Sequence, residues 1–318
     1  MPARVEPLDD ATIERAGELV AREQAAARRT CPELPEAYQH PDTCTAALQR
    51  LRDTGHSGLV ATDRDRVVAV LTATMRLAPD VGRYARLPAE GLAVDPELED
   101  PTAVLGTLYA ELAPPLLDRD VRRHYLLHVA RPPVEAAVAN LGFGRDGVYG
   151  VRPLTPRRDR PAVPVRVAGP AELDSVARLA LVEIEHREAA PMFGPRSSVT
   201  LAELVDRHRA LRDGGAVHLL ASVDGRDAGL LTIELTSPVP RLCAADQPYI
   251  GPTATAPEFR RRGVGQALVD AALGWAEAHG YRWLSVDFAS ANPLSRPFWL
   301  GAGFRPTGYG VLRLLDPR

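Results

Sequence analysis

The chain has 318 residues, of which 45% are hydrophobic and 25% charged, and its formal net charge is −3. That length accommodates two ordinary domains, and the near-neutral balance offers no basic field for nucleic acid or an anionic membrane. Every residue of the Lys+Arg count is Arg, so neither a lysine Schiff base nor a phosphate-binding lysine is available. Cys31, Cys44 and Cys243 fit neither a zinc-ligand spacing nor a disulfide framework, which predicts reduced thiols, no metal and a cytoplasmic location. Met1-Pro2-Ala3-Arg4-Val5-Glu6 lacks the apolar core of a signal peptide. No run of about 18 apolar residues predicts a membrane span.

In chain order, the Pro-rich segment 31–41 reads as a loop between two early helices, a connector or a lid. Residues 58–72 read as strand, turn, strand. The stretch 153–164 is rich in Pro and charge and reads as a linker, because each Pro removes a backbone donor and turns its predecessor away from helix. It sets the expected domains at 1–153 and 164–318, with 154–163 between them.

The two sides repeat. Leu59-Val60-Ala61 and Val70-Leu71-Thr72 match Leu219-Leu220-Ala221 and Leu230-Leu231-Thr232 at an offset of 160. Pro96-Glu97 matches Pro257-Glu258, and Leu141-Gly142-Phe143 matches Ala302-Gly303-Phe304, both at 161. One slipped residue over such a distance indicates duplication of a single unit.

In the second half, Val165-Arg166-Val167 is a first strand and 170–190 a helix, with Leu173, Val176, Ala177, Ala180 and Leu181 at helical spacing. Thr200 caps a second helix. Strands 217–223 and 228–235 form a hairpin around Asp224-Gly225. A strand at 249–255, a helix at 263–279, a strand at 283–288, a helix from Ser295 and a closing strand at 308–315 complete the order β-α-α-β-β-β-α-β-α-β.

Arg260-Arg261-Arg262-Gly263-Val264-Gly265-Gln266 falls where a strand hands over to a helix. Glycines permit close approach, a helix N-terminus presents unpaired N–H groups, and the arginines add charge, so the loop suits a pyrophosphate. The spacing is not G-x-G-x-x-G, and a Walker loop lacks its lysine.

Arg260-x-x-Gly263-x-Gly265 resembles the acetyl-CoA loop of the GCN5-related N-acetyltransferase (GNAT) superfamily, R/Q-x-x-G-x-G/A. Pro257-Glu258-Phe259 before it, and Asn292-Pro293-Leu294-Ser295-Arg296-Pro297-Phe298-Trp299 with Gly303-Phe304 after it, are similar to that family's blocks. The resemblance covers 165–315. It implies an α/β fold: two tandem acyl-CoA N-acyltransferase-like domains, each a splayed mixed β-sheet flanked by helices. It further implies acetyl-CoA as acyl donor. Thr253, Ala254 and Thr255 would pair with its pantetheine, Arg260, Arg261, Arg262, Gly263, Val264, Gly265 and Gln266 would surround its pyrophosphate, and Asn292 and Ser295 would contact its arm.

Amide formation needs a neutral amine, a polarised thioester and a proton for the thiolate. Glu234, ending its strand beside the cofactor strand, is the first candidate base and Asp287 the second; His186 is a further group that could reach an acceptor. Many members of the resembled family place a Tyr acid where this chain has Trp299, whose indole is no practical acid. Tyr309 and Tyr249 are the substitutes. Loops 192–199 and 237–248, the second holding Asp246, would border the acceptor.

In the first half, Glu99 and Asp100 replace Arg260 and Arg261, both glycines are gone, Pro101 removes a donor and Arg131 stands for Asn292. Two carboxylates repel a pyrophosphate. That half is therefore expected to be a degenerate domain without cofactor. The expected function is acetylation of a primary amine of a small molecule, with a protein amine or a non-catalytic acyl-CoA sensor as alternatives.

Overall fold

The computed structural model describes residues 3–154 and 163–316; the expected linker lies outside them except for its end residues Leu154 and Val163. In chain order the first repeat comprises β1 (Arg4–Pro7), α1 (Ile13–Arg28), α2 (Pro41–Asp53), β2 (Ser57–Asp63), β3 (Arg66–Ala78), β4 (Gly82–Leu87), β5 (Leu92–Val94), α3 (Thr102–Leu112), α4 (Pro114–Leu117), β6 (Arg123–Val129), α5 (Pro132–Asn140) and β7 (Gly144–Pro153). The second comprises β8 (Val165–Val167), α6 (Leu173–Glu188), α7 (Leu201–Asp213), β9 (Val217–Val223), β10 (Arg226–Glu234), β11 (Tyr249–Thr255), α8 (Val264–Ala278), β12 (Trp283–Ala289), α9 (Ser295–Gly301) and β13 (Arg305–Leu314). The element order predicted for the second half stands. Its first helix is shorter than expected, because Pro170–Glu172 forms a 3-10 turn before α6. Thr200 caps α7 as expected, its hydroxyl accepting from Glu203 N–H while Glu203 reaches back to Thr200.

The compact units are not the two contiguous spans expected. The first holds Met1–Tyr149, Val239–Ala244 and Pro306–Arg318; the second holds Gly150–Pro238 and Ala245–Arg305. The expectation that β13 closes its own half is corrected accordingly. It completes the first unit's sheet, antiparallel to β6 from Gly308↔Val129 to Leu314↔Arg123. Segment 239–244 likewise leaves the β10–β11 connection to pack in the first unit.

In the first unit the strands run β1-β2-β3-β4-β6-β13, and β5 adds to β3. Long β3 serves two partners: Ala69–Leu71 pair with β5 and Thr74–Ala78 with β4. β4 runs parallel to β6 as far as Leu87↔Leu126; β5 then follows β3, so the sheet splays between β5 and β6. One core cluster includes Leu71, Leu92, Leu105, Leu108 and Val138; a second includes Leu19, Val20 and Leu48 under α1 and α2. The segment before α2 is a packed connector and not a lid, since Leu34 and Tyr38 are buried.

In the second unit the order is β12-β11-β10-β9-β8. The duplication is visible residue by residue. α1 and α6 each have 16 residues, and the buried Ile13, Ala16, Leu19 and Val20 correspond to the buried Leu173, Val176, Leu179 and Ala180. The ladder Ala69↔Val94, Leu71↔Leu92 reappears as Gly229↔Thr255, Leu231↔Thr253. All three cysteines are buried thiols. Among the described residues no helix is long and apolar enough to cross a membrane, and no His, Cys, Asp and Glu side chains group as a metal site.

Candidate active site

β10 and β11 form an antiparallel pair with a bulge: Leu231↔Thr253 is followed by Ile233↔Ile250. The extra residue on β11 bends the strand. Beyond that bend β11 leaves its parallel partner, for the β11–β12 ladder consists of Tyr249↔Ser285 and Ile250↔Val286. Ala256 N–H donates to Ala228 C=O, so alternation turns the N–H and C=O of Thr253 and Thr255 away from β10, into the splay. This open backbone edge is what an extended ligand can pair with.

The loop after β11 aims a second set of N–H groups. A 3-10 turn (Pro257–Phe259) precedes Arg261 at φ 63° and Gly263 at φ 82°. Gly263 is the N-cap of α8 and has no side chain with which to cap it, which leaves the N–H groups of Val264, Gly265 and Gln266 without helical acceptors. Gly265 lies under Phe298, whose ring would be 3.2 Å from an added Cβ. Gly229 lets α8 approach β10, since a Cβ there would meet Val264 at 2.6 Å. Arg260 is half-buried; Arg261 and Arg262 are exposed, and Arg262 pairs with Asp224 at 3.0 Å. Gln266 bonds Asp270 along the helix. The uncapped helix, the glycines and the open edge offer the backbone donors that a CoA-type ligand needs.

At the bend, the predicted carboxylates come together on one sheet face. Glu234 pairs with Tyr249 across the ladder, Tyr249 with Ser285, and Asp287 follows Ser285 by two residues. Tyr249 donates its hydroxyl to Asp287 at 2.6 Å. Gly251 exists to admit Glu234: an added Cβ would fall 2.2 Å from its Oε1. From α6, Glu183 joins the same electrostatic cluster. Desolvation pushes the Glu234 carboxyl up from its ordinary value, Asp287 adds to the rise and Arg207 opposes it. Desolvation raises Asp287 as well, against the Tyr249 hydroxyl and Arg187. Asp287 is solvent-accessible. Glu183 is raised by desolvation, with Arg187 opposing and Asp287 adding.

Other expected residues sit differently. Tyr309 lies in the first unit on β13, opposite His128 and beneath the Arg145 guanidinium at 3.9 Å. Trp299 is buried edge-on against Phe304 and Phe298, so packing accounts for it. The Asn292 Oδ1 accepts from Leu294 and Ser295 N–H, which makes it the cap of α9, while the buried Ser295 hydroxyl has no partner. Asp246 is exposed. Sequence reasoning missed Glu183 and Arg241. Extending the 160-residue offset into the helices would have found Glu183, which corresponds to Glu23.

Residues 181–304 match the sequence profile of the acetyltransferase (GNAT) family. No curated protein matches the chain. Among solved structures, a GCN5-related N-acetyltransferase from Sphaerobacter thermophilus matches at a TM-score of 0.62 and 17% identity, over 99% of this chain and 96% of that one. A tandem GNAT protein from the clavulanic acid biosynthesis pathway matches at 0.55 and 17% identity, over 99% of both chains. A GNAT-family acetyltransferase from Colwellia psychrerythraea matches at 0.51 and 11%, over 98% of this chain and all of the other. At these identities the likeness is one of fold, that of a tandem GNAT protein. The GNAT match spans α6 to α9 and thus includes the glycine loop, the open edge of β11 and all three carboxylates.

Proposed function

We propose that the protein is an acetyl-CoA-dependent N-acetyltransferase whose second repeat acetylates a primary amine of a small molecule. The observation that carries this reading is the uncapped N-terminus of α8, at Gly263-Val264-Gly265, beside the open edge of β11. A cytoplasmic location belongs to the same proposal and rests on the unpatterned cysteines.

When bound, the donor supplies an activated acyl thioester. The N–H groups of Val264, Gly265 and Gln266 hold the pyrophosphate, helped by the helix dipole. Thr253 and Thr255 pair with the pantetheine arm, and Thr255 N–H donates toward the thioester carbonyl oxygen. Glu234 accepts a proton from the incoming ammonium, directly or through water. The amine gives up two protons in becoming an amide as the C–N bond forms and the C–S bond breaks; the thiol retains one and one leaves through Glu234. Tyr249, whose hydroxyl donates to Asp287, is the side chain that would protonate the leaving thiolate in place of the family's tyrosine. The buried Trp299 favours a second reading, an acyl-CoA sensor without turnover.

Calorimetric titration of acetyl-CoA into the full chain tests the reading. One-site binding that disappears in Gly265→Glu supports it, and turnover with an amine panel separates enzyme from sensor. Absence of binding in the wild type removes its basis.

A further inference from the structure

The first repeat shows what its equivalent groups do when no donor is expected there. Leu92 and Val94 occupy the ladder positions of Thr253 and Thr255, and their outward backbone groups are taken by side chains. Leu92 C=O accepts from Arg241, and Val94 N–H donates to Glu23 Oε1 at 3.2 Å. Arg241 is fully buried. It donates to Glu23 Oε2 at 2.7 Å, to Ala89 C=O at 2.6 Å and to Gln24 Oε1 at 3.2 Å. Arg131 completes the pairing of Glu23 at 2.9 Å. A carboxylate on the first long helix thus holds a guanidinium on an alkyl stem at the splayed edge.

The second repeat has the carboxylate but not the two hydrogen-bonded guanidinium groups that hold Glu23. Glu183 stands at the position of Glu23, eleventh in a helix of the same length. Arg131 is replaced by the neutral Asn292 at the offset of 161. Segment 239–244, which delivers Arg241, packs in the first unit. Within the second repeat Glu183 has Arg187 beside it, whose Nε is 3.8 Å away, beyond hydrogen-bond distance, and it feels the charge of Arg207. On the facing strand, the buried Ser285 hydroxyl has no partner and shares a sheet face with Asp287. The Glu183 side chain is 35% exposed, so an arriving cation can reach it from solvent and replace its water.

We propose that Glu183 is the docking carboxylate for the acceptor, which arrives as an alkylammonium, and that the Arg241 side chain in the first repeat imitates the bound acceptor. The acceptor class is then an aliphatic amine, protonated at neutral pH, and not an aromatic amine that is neutral there. This deepens the functional proposal above and rests on it. Glu183 binds and orients; Glu234 removes the proton.

The test uses n-butylguanidinium, an alkyl cation with the head group of Arg241, titrated calorimetrically into the full chain with and without saturating coenzyme A. The neutral isostere n-butylurea is the control. One-to-one binding of the cation, absence of urea binding, and a loss of roughly tenfold or more in Glu183→Gln, the scale of a charged hydrogen bond, are expected. Acetyl-CoA binding should be unchanged in that variant. Equal binding of the urea overturns the proposal even if Glu183→Gln does not fold. So does undiminished cation binding in a folded variant, or failure of the cation to bind. Loss of acetyl-CoA binding in the wild type strikes the functional reading instead; intact acetyl-CoA binding with a failed cation strikes Glu183 alone.

Discussion

The two repeats handle the same backbone edge in opposite ways. In the first, Leu92 and Val94 are satisfied by Arg241 and Glu23; in the second, Thr253 and Thr255 turn the same groups into an open splay. The helix ends differ likewise. The Asp100 carboxylate accepts from Thr102 at the start of α3, and the Thr102 hydroxyl, followed by its N–H, holds the Asp100 pKa below the usual range, whereas α8 begins with a capless glycine in the left-handed region. A repeat can therefore retain its ladders and lose its ligand once internal side chains supply the same hydrogen bonds. The carboxyls Glu234 and Asp287 have no acidic counterparts: Thr74 and Leu126 stand at their positions.

The largest effect should come from putting a charge where the second repeat has none. Gly265→Glu adds both a clash with Phe298 and a carboxylate at the helix N-terminus, and acetyl-CoA binding should vanish by calorimetry. Retained affinity would detach the donor from α8. Next, Arg241→Ala leaves Glu23 buried with one partner fewer; urea unfolding should show a loss of about 3–5 kcal/mol, as for broken buried pairs. A loss near zero would mean that the first repeat does not need its internal cation. Third, Glu234→Gln should lower kcat by roughly 100-fold, the usual scale of a general base, with acetyl-CoA affinity unchanged. Because burial raises Glu234 and a base must be ionised, the wild-type rate should rise with pH through an apparent pKa above the usual ~4.3 of Glu. That limb should be absent from the variant.

Smaller effects sharpen the contrast. Burial raises Asp287, so the folded state holds its proton more tightly than the unfolded chain does. Its contribution is unfavourable above the folded pKa and fades as pH falls below the unfolded one. Asp287→Asn should therefore raise Tm at neutral pH, with the gain disappearing in acid; melts at both pH values check it. The smallest change belongs to the first repeat. Asp100→Ala removes a solvent-exposed cap, should cost little stability, and should leave acetyl-CoA stoichiometry at one site. A second site would show that Asp100 alone closes that repeat.

Much of the site could be read from residues. Gly263 and Gly265 stand out because a side-chain-free loop brings backbone donors to an anion, and the strand before it was placed at 249–255. Glu234 was legible as the end of a strand next to β11. Glu183 was not, since a carboxylate on a helix reads as a solvated face until the packing of α6 against the sheet is known. That Tyr309 belongs to the first unit was not legible, because a position near the end of the chain suggests closure of its own half.

The sequence by itself determined the duplication, the element order and the glycine loop, because these rest on local periodicity and on backbone freedom. Only the tertiary structure decided which unit β13 and segment 239–244 complete, and that Arg241 meets Glu23 across more than two hundred residues of chain. Strand pairing and buried ion pairs are non-local contacts. Their partners are selected by the sheet edge and the desolvated charge they satisfy, and neither leaves a pattern in neighbouring residues.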